Sequence, residues 1–325
     1  MGAVELRRGG LHVSGTELWL DATRKSGLSF VSHAHSDHIA RHERTIATQA
    51  TVRFMTQRLG KLPAALPVPY NRIFDLGPLS LELLPAGHIL GSAQLRITRA
   101  DGQRIVYTGD INDTASVTAE PVQVAECDTL VIESTFGHPR YRFPPKPEVL
   151  GEVAKWIRQK QEAGIAPILL GYPLGKSQEA IKHLGQAGFR FAAHQSIWAM
   201  SQLYEELGCS MEAVRKFDGT LREGEVGFFP PHRWRSGPAG TLWPRATAVL
   251  TGWAVDPGAA QRYGADIAFP LSDHADFPAL MKYVKATGAT EVITHHGFAR
   301  ELSDALNAEG IDARPLGTAK QLSLF

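Results

Sequence analysis

Three histidines and an aspartate fall within six consecutive positions of VSHAHSDHIA, residues 31–40: His33, His35, Asp37 and His38. Imidazole and carboxylate without thiolate are the donors that suit Zn²⁺ or Mn²⁺. In an extended segment alternate residues share a side, so His33, His35 and Asp37 can point into one cavity while His38 projects separately as the chain turns. One short run can therefore serve two metals. A single histidine is more often a solvated or hydrogen-bonded side chain. Given 13 histidines in 325 residues, an H-x-H-x-D-H string arises by chance on the order of once in a thousand such chains.

A site built on this string needs further ligands, and the ends of strands offer them. His88 lies in LPAGHILGSAQ between Gly87 and Gly91, whose freedom would let backbone approach a metal closely. Asp110 closes IVYTGD. A carboxylate that bridges two cations can hold them about 3.5–4 Å apart, the spacing of two-metal hydrolysis. Taken singly, His88 reads equally well as a loop histidine and Asp110 as a turn-capping aspartate.

The elements that must carry these residues alternate between strand-like and helix-like runs, the pattern of an α/β protein. LHVSGTELWLDA (11–22), LSFVSH (28–33) and RTIATQ (44–49) are β-prone, and ATVRFMTQRLG (50–60) reads as a helix stopped by Gly60. In SAQLRITRADGQRIVYTGD (92–110), Leu95, Ile97, Ile105 and Tyr107 alternate with polar residues around Asp101-Gly102, which predicts a hairpin ending on Asp110. TLVIEST (129–135) is a further strand. The proline-rich, basic GHPRYRFPPKPE (137–148) has the composition of a domain boundary. Beyond it, residues 148–164 predict a helix, and 166–184 and 189–207 each read as strand, turn and helix, an inserted parallel α/β unit spanning 146–265. Strand-helix units resume from 266 to the C-terminus.

Composition narrows the classes of function. A hydrophobic content of 43% with 21% charged residues indicates a globular chain. The net charge of +1 leaves any grip on nucleic acid to local patches, which argues against a pure binding module. Cys127 and Cys209 are far apart and form no C-x-x-C pair, so neither a disulfide framework nor a cysteine zinc site is expected, and a reducing cytoplasm fits. No apolar run approaches the roughly 20 residues of a membrane span, and the first residues have no signal core.

Asp21 in LWLDAT, the string from His33 to His38, His88 in AGHILGSA and Asp110 in YTGD occur in the order of the metallo-β-lactamase superfamily motifs, and the chain resembles that superfamily. The resemblance implies an αββα sandwich over residues 1–145 and 266–325. VIESTFG with Glu133, PLSDHADF with His274 and ITHHGF with His296 resemble the A, B and C motifs of the β-CASP nucleases, and YPLGKSQEAI resembles a stretch common in β-CASP domains, here 146–265. The similarity covers nearly the whole chain and is closest to the bacterial DNA-ligase-associated exonucleases, relatives of Artemis.

The resemblance implies roles residue by residue. His33, His35 and His88 would hold one divalent metal, with zinc expected ahead of manganese, and Asp37, His38 and His296 the second, with Asp110 as the bridge. His274 would give a proton to the leaving oxygen, oriented by Glu133, and Asp21 would steer a ligand. The family's His-Gly pairing favours His296 over its neighbour His295. The substrate implied is nucleic acid, DNA ahead of RNA, with a DNA ligase or helicase as partner and no membrane. A histidine at motif C is associated in the family with RNA-processing members, so RNA cleavage is the runner-up, followed by a small-molecule metallo-hydrolase, which would give no reason for Glu133, His274 and the insert.

Three weaker signals concern substrate contact. GYPLGKS (171–177) is one residue short of a phosphate loop, yet backbone N–H groups at Gly175, Lys176 and Ser177 open a predicted helix and could meet a phosphate. HRWRSG (232–237) interleaves Arg233 and Arg235 with Trp234 as single-strand binders do, although a solvated loop reads equally well. The basic HPRYRFPPK (138–146) puts Arg140 and Arg142 at the predicted domain junction, where a substrate rim is expected.

Overall fold

The structure is a computed structural model and describes residues 3–232, 234, 242 and 244–317. It divides into two compact units, one of Met1–Ala115, Ala119–Arg142 and His274–Phe325, the other of Ser116–Thr118 and Phe143–Asp273. Both are α/β.

The first unit contains two sheets. Strands β1 (Val4–Arg7), β2 (Gly10–Val13), β3 (Leu18–Leu20), β4 (Leu28–Phe30), β5 (Arg44–Ala47) and β6 (Ala65–Pro67) lie side by side in chain order, antiparallel as far as β3 and parallel from there. Helix α1 (Gln49–Leu59) links β5 to β6; Thr48 caps its start through the Thr51 N–H, and Gly60 at φ 76° ends it. The second sheet comprises β7 (Ile73–Leu76), β8 (Leu79–Pro85), β9 (Ala93–Thr98), β10 (Arg104–Tyr107) and β11 (Thr129–Glu133), with the C-terminal strands β18 (Glu291–His295) and β19 (Ala313–Pro315) parallel beyond β11. The expected hairpin is β9–β10, with Leu95 opposite Tyr107 and Ile97 opposite Ile105.

Strand alternation decides what each residue of the second sheet covers. Leu81, Leu95, Ile97, Ile105, Tyr107, Val131 and Ile293 share a core with Leu11, Leu20, Phe30 and Ile46 of the first sheet. Their neighbours Val106, Leu130, Ile132 and Val292 instead pack with Leu280 and Val284 of helix α6 (Phe277–Thr287) and Leu302 and Leu306 of α7 (Ala299–Ala308). The second sheet is thus buried on both faces, which is why β10 and β11 read as near-continuous apolar runs.

The second unit is a wholly parallel sheet in the order β14-β13-β15-β12-β16-β17, formed by β12 (Ala166–Leu170), β13 (Arg190–Ala193), β14 (Val214–Lys216), β15 (Glu225–Phe229), β16 (Arg245–Leu250) and β17 (Ile267–Phe269). Its helices are α2 (Lys146–Glu162), α3 (Lys176–Gln186), α4 (Gln195–Glu206) and the short α5 (Ala259–Tyr263). The sequence predicts the end of this unit at 265, but β17 pairs with β16 and the unit runs on to Asp273. ADIAF announces a strand without announcing its partner.

The excursion Ser116–Thr118 belongs to this unit because of Glu179 on α3. The buried Glu179 carboxylate accepts from Ser116 Oγ (2.5 Å) and Thr118 Oγ1 (2.6 Å), and it pairs with Lys146 Nζ at 3.1 Å. Burial raises the pKa of Glu179, but Lys146 and the two hydroxyls outweigh it and hold the carboxyl below its ordinary 4.5. A carboxyl depressed on folding adds stability that is present above 4.5 and lost as the pH falls through its folded value. Glu179→Gln is expected to cost about 3 kcal/mol at neutral pH, because Lys146 keeps its buried charge without a counter-charge. Urea unfolding of both proteins should show that gap narrowing below pH 4.5; a gap independent of pH would assign the loss to packing instead.

Candidate metal centre

Asp21 follows β3 with φ 45°, and His296 follows β18 with φ 61°; among the described residues other than glycine only Asn71 shares this left-handed backbone. Side chains rarely adopt it, and where it occurs the surroundings over-determine it. At Asp21 the surroundings are four donors. Ser32 N–H reaches Oδ1 at 2.7 Å, and Ser32 Oγ–H, His38 Nδ1–H and Tyr107 O–H reach Oδ2 at 2.5, 2.8 and 2.8 Å.

This network assigns tautomers. A carboxylate only accepts, so His38 carries its proton on Nδ1 and presents the Nε2 lone pair. The Ser32 hydroxyl donates to Asp21 and so accepts from His33 Nδ1 at 3.0 Å, which leaves the Nε2 lone pair of His33 as well. Gly109 permits the approach that sets Asp110 beside this group: it lies at φ 55°, and a Cβ there would stand 2.4 Å from that of Ser32.

The ligand atoms of His33, His35, His88 and Asp110 all lie within 4.8 Å of one another. Asp110 Oδ2 is 3.4 Å from His33 Nε2, 3.5 Å from His38 Nε2 and 3.7 Å from His88 Nε2, and His88 Nε2 faces His35 Nδ1 at 3.1 Å. His33 is fully buried and its Nε2 has no hydrogen-bond partner. Such an atom costs about 1–3 kcal/mol unless something fills the place beside it.

Electrostatics point the same way. Burial, then the nearby rings of His38, His88 and His35, holds His33 well below the ordinary imidazole range, which makes it a neutral ligand. Burial also lowers His38, but Asp110 and Asp21 outweigh it and push the ring up to about 10. Burial pushes Asp110 up to about 7, with His38 pulling it down and Glu133 adding to the rise. Three carboxylates around His38 thus call for positive charge at its Nε2 face, and the residues present fit a divalent cation.

A second, anionic group adjoins the first. Glu133 ends β11 fully buried, and its carboxylate accepts from Ile111 N–H at 2.8 Å and lies 3.1 Å from His274 Nδ1 through either oxygen. Burial raises the Glu133 pKa, but His274 and the N–H donors overcome this and hold it at about 2. His274 therefore carries a proton on Nδ1, and that nitrogen is 3.9 Å from Asp110 Oδ2.

The remaining residues singled out from sequence lie as follows. Asp37 is well exposed, with Oδ2 3.8 Å from His38 Nε2, and the His296 ring lies 5.7 Å from that of His38. Neither joins a group of donors within 4.8 Å of one another among the described residues. His295 points elsewhere, its ring stacked on Tyr107 at 5.6 Å. Gly175, Lys176 and Ser177 are engaged within the second unit: Gly175 N–H donates to Gln178 Oε1, Lys176 Nζ pairs with Asp273 at 2.9 Å, and Ser177 Oγ donates to the Tyr172 carbonyl. The expected contact of these polar groups with a phosphate is therefore corrected, since the turn itself uses them. Arg140 is exposed and stacks on Tyr141 and Phe298, and Arg142 is exposed. Arg233 and Arg235 lie outside the described residues, whereas Trp234 is buried with Ile168, Leu170 and Phe229 and offers no stacking surface. Sequence reasoning passed over Ser32 and took Tyr107 for a strand residue alone; their value lies in reaching Asp21, which no local spacing signals.

No protein-family model matches the chain. It is 36% identical over 316 residues to a protein of Opitutus terrae named "Probable DNA ligase", covering 97% of this chain and 31% of that one. It is 25% identical over 195 residues to "RNase aCSPSF2" of Saccharolobus solfataricus, covering 50% of this chain and 39% of that one. To "DNA cross-link repair protein SNM1" of Arabidopsis thaliana it is 25% identical over 179 residues, covering 50% and 37%. The chain thus spans about a third of the length of these relatives. Taken with the ordered motifs and their convergence, these likenesses mean that the chain belongs to the metallo-β-lactamase/β-CASP family.

Asp21→Asn removes the charge that four donors share and the acceptor that sets the His38 tautomer. The expected result is a loss of about 10- to 100-fold in affinity for Zn²⁺, read by chelator competition. Unchanged affinity would show that Asp21 serves the fold alone.

Proposed function

We propose that the protein is a metal-dependent phosphodiesterase acting on nucleic acid, a DNA exonuclease of DNA repair. The reading takes the first unit as a metallo-β-lactamase αββα sandwich, drawn from residues 1–145 and 266–325, and the parallel unit within 146–265 as a β-CASP insertion. The observation that carries it is the meeting of His33, His35, His88 and Asp110 beside the Glu133–His274 pair. A small-molecule hydrolase needs the first group but not the second.

His33, His35 and His88 would hold one cation, Asp37, His38 and His296 another, and Asp110 would bridge them, with Zn²⁺ preferred over Mn²⁺. When bound, the cations supply Lewis acidity, making water more acidic and offsetting charge on the non-bridging phosphate oxygens. The protein's own work is positional. Ser32 and Asp21 orient the imidazoles, the apolar layers on both faces of the second sheet limit water, and His274 delivers a proton to the leaving oxygen. Glu133 directs His274 and stabilises its charged form, as a buried carboxylate does for an imidazolium.

DNA is favoured by the relatives named for DNA ligation and cross-link repair, and the first of these also supports a ligase as partner. RNA is favoured by the relative named as an RNase and by the histidine at 296. Among the described residues no helix is long and apolar enough to cross a membrane.

End-labelled single-stranded DNA and RNA of one sequence, incubated with Zn²⁺ or Mn²⁺, test the reading directly. Faster loss of DNA by stepwise shortening is expected; faster RNA turnover would reverse the polymer, and no cleavage of either would refute the reading. His274→Ala should retain its metal content by atomic absorption while turnover falls about 10²- to 10⁴-fold. Full activity in that variant would remove His274 from the mechanism.

A further inference from the structure

A cavity of about 220 Å³ in the first unit adjoins His38 and His296. The metal-centre residues account for only part of its lining. Leu6, Leu11, Leu20 and Leu316 supply apolar surface, and Tyr107 and His295 supply rings inclined at 23° to one another. The carboxylates of Asp21 and Asp37 line it as well. His295 is 4% exposed, and its Nε2 is buried without a hydrogen-bond partner.

These features restrict the occupant. A phosphate is repelled by two carboxylates. An alkyl chain would match the leucines but leave the His295 imidazole unpaired. A flat heterocycle satisfies both, since its faces lie against leucine and aromatic rings while a polar edge meets the imidazole. The volume suits one such ring rather than a run of nucleotides. We propose that this cavity is a nucleobase subsite, which takes the base of the nucleotide next to the phosphodiester being cleaved; the assignment rests on the nuclease reading above. It would give an enzyme that otherwise grips only the backbone a contact that an abasic nucleotide cannot make.

The test titrates adenosine, with ribose 5-phosphate as the control, into the Zn²⁺-loaded full-length chain and follows the His295 ring protons by NMR. Adenosine is expected to bind saturably and to shift those resonances, whereas ribose 5-phosphate leaves them in place. Leu6→Trp fills the cavity from a side chain that is 57% exposed, so the core is not involved. It should weaken adenosine about tenfold or more, the scale of one lost stacking contact. Leu316→Trp does the same from another strand and guards against an effect of one substitution on folding. An oligonucleotide whose terminal nucleotide is abasic should be cleaved about tenfold less efficiently than its intact counterpart by the unsubstituted protein, with little difference for either variant. Failure of adenosine to bind, or equal binding by both tryptophan variants, overturns the subsite. Cleavage of oligonucleotides without adenosine binding rejects the subsite and keeps the nuclease reading; adenosine binding without cleavage of any oligonucleotide does the reverse.

Discussion

Four hydrogens meet at the carboxylate of Asp21, and the arrangement of the centre depends on them. They come from the turn after β4, from the ring of His38 and from the end of β10, so one side chain joins both sheets of the first unit at the level where their strands end. The junction is polar inside a protein that otherwise buries leucine, phenylalanine and tyrosine. Donors and acceptor satisfy one another there, and the positive φ of Asp21 is the conformational cost of bringing its carboxylate to them.

Tautomers follow from that carboxylate. With their Nδ1 protons directed towards Asp21 and Ser32, His38 and His33 present lone pairs towards Asp110. The same principle operates on the other side of Asp110, where Glu133 holds the Nδ1 proton of His274. Two buried carboxylates thereby give the imidazoles different tasks, one set to accept a cation and one ring to carry a proton. The difference lies in which hydrogen bond the far nitrogen makes, not in residue type.

The apolar framework explains why the cluster is held so closely. Alternate residues of β10 and β11 belong to different cores, one shared with the first sheet and one with α6 and α7. A strand fixed on both faces cannot slip by a single residue without turning its leucines and isoleucines the wrong way. The residues just past the strand ends, Asp110 and the terminal Glu133 among them, inherit that registration. Ligand atoms within 4.8 Å of one another therefore come from segments far apart in the chain.

Much of this was legible in the linear chain. The alternation at Leu95, Ile97, Ile105 and Tyr107 announces a hairpin because side-chain direction in a strand is a local property, and the clustered histidines and aspartate announce donors because residue chemistry is local too. The α/β character and the breaks near the prolines follow from the same short-range rules. Tertiary structure alone decided the rest: that Tyr107, a strand residue by pattern, donates to a carboxylate 86 positions away; that Lys176 faces Asp273 instead of open solvent; that Trp234 lies in a core; and that β17 joins the parallel sheet. Each depends on a partner brought near by folding. A hydrogen bond or an ion pair acts over a few ångströms of space, and distance along the chain carries no record of it.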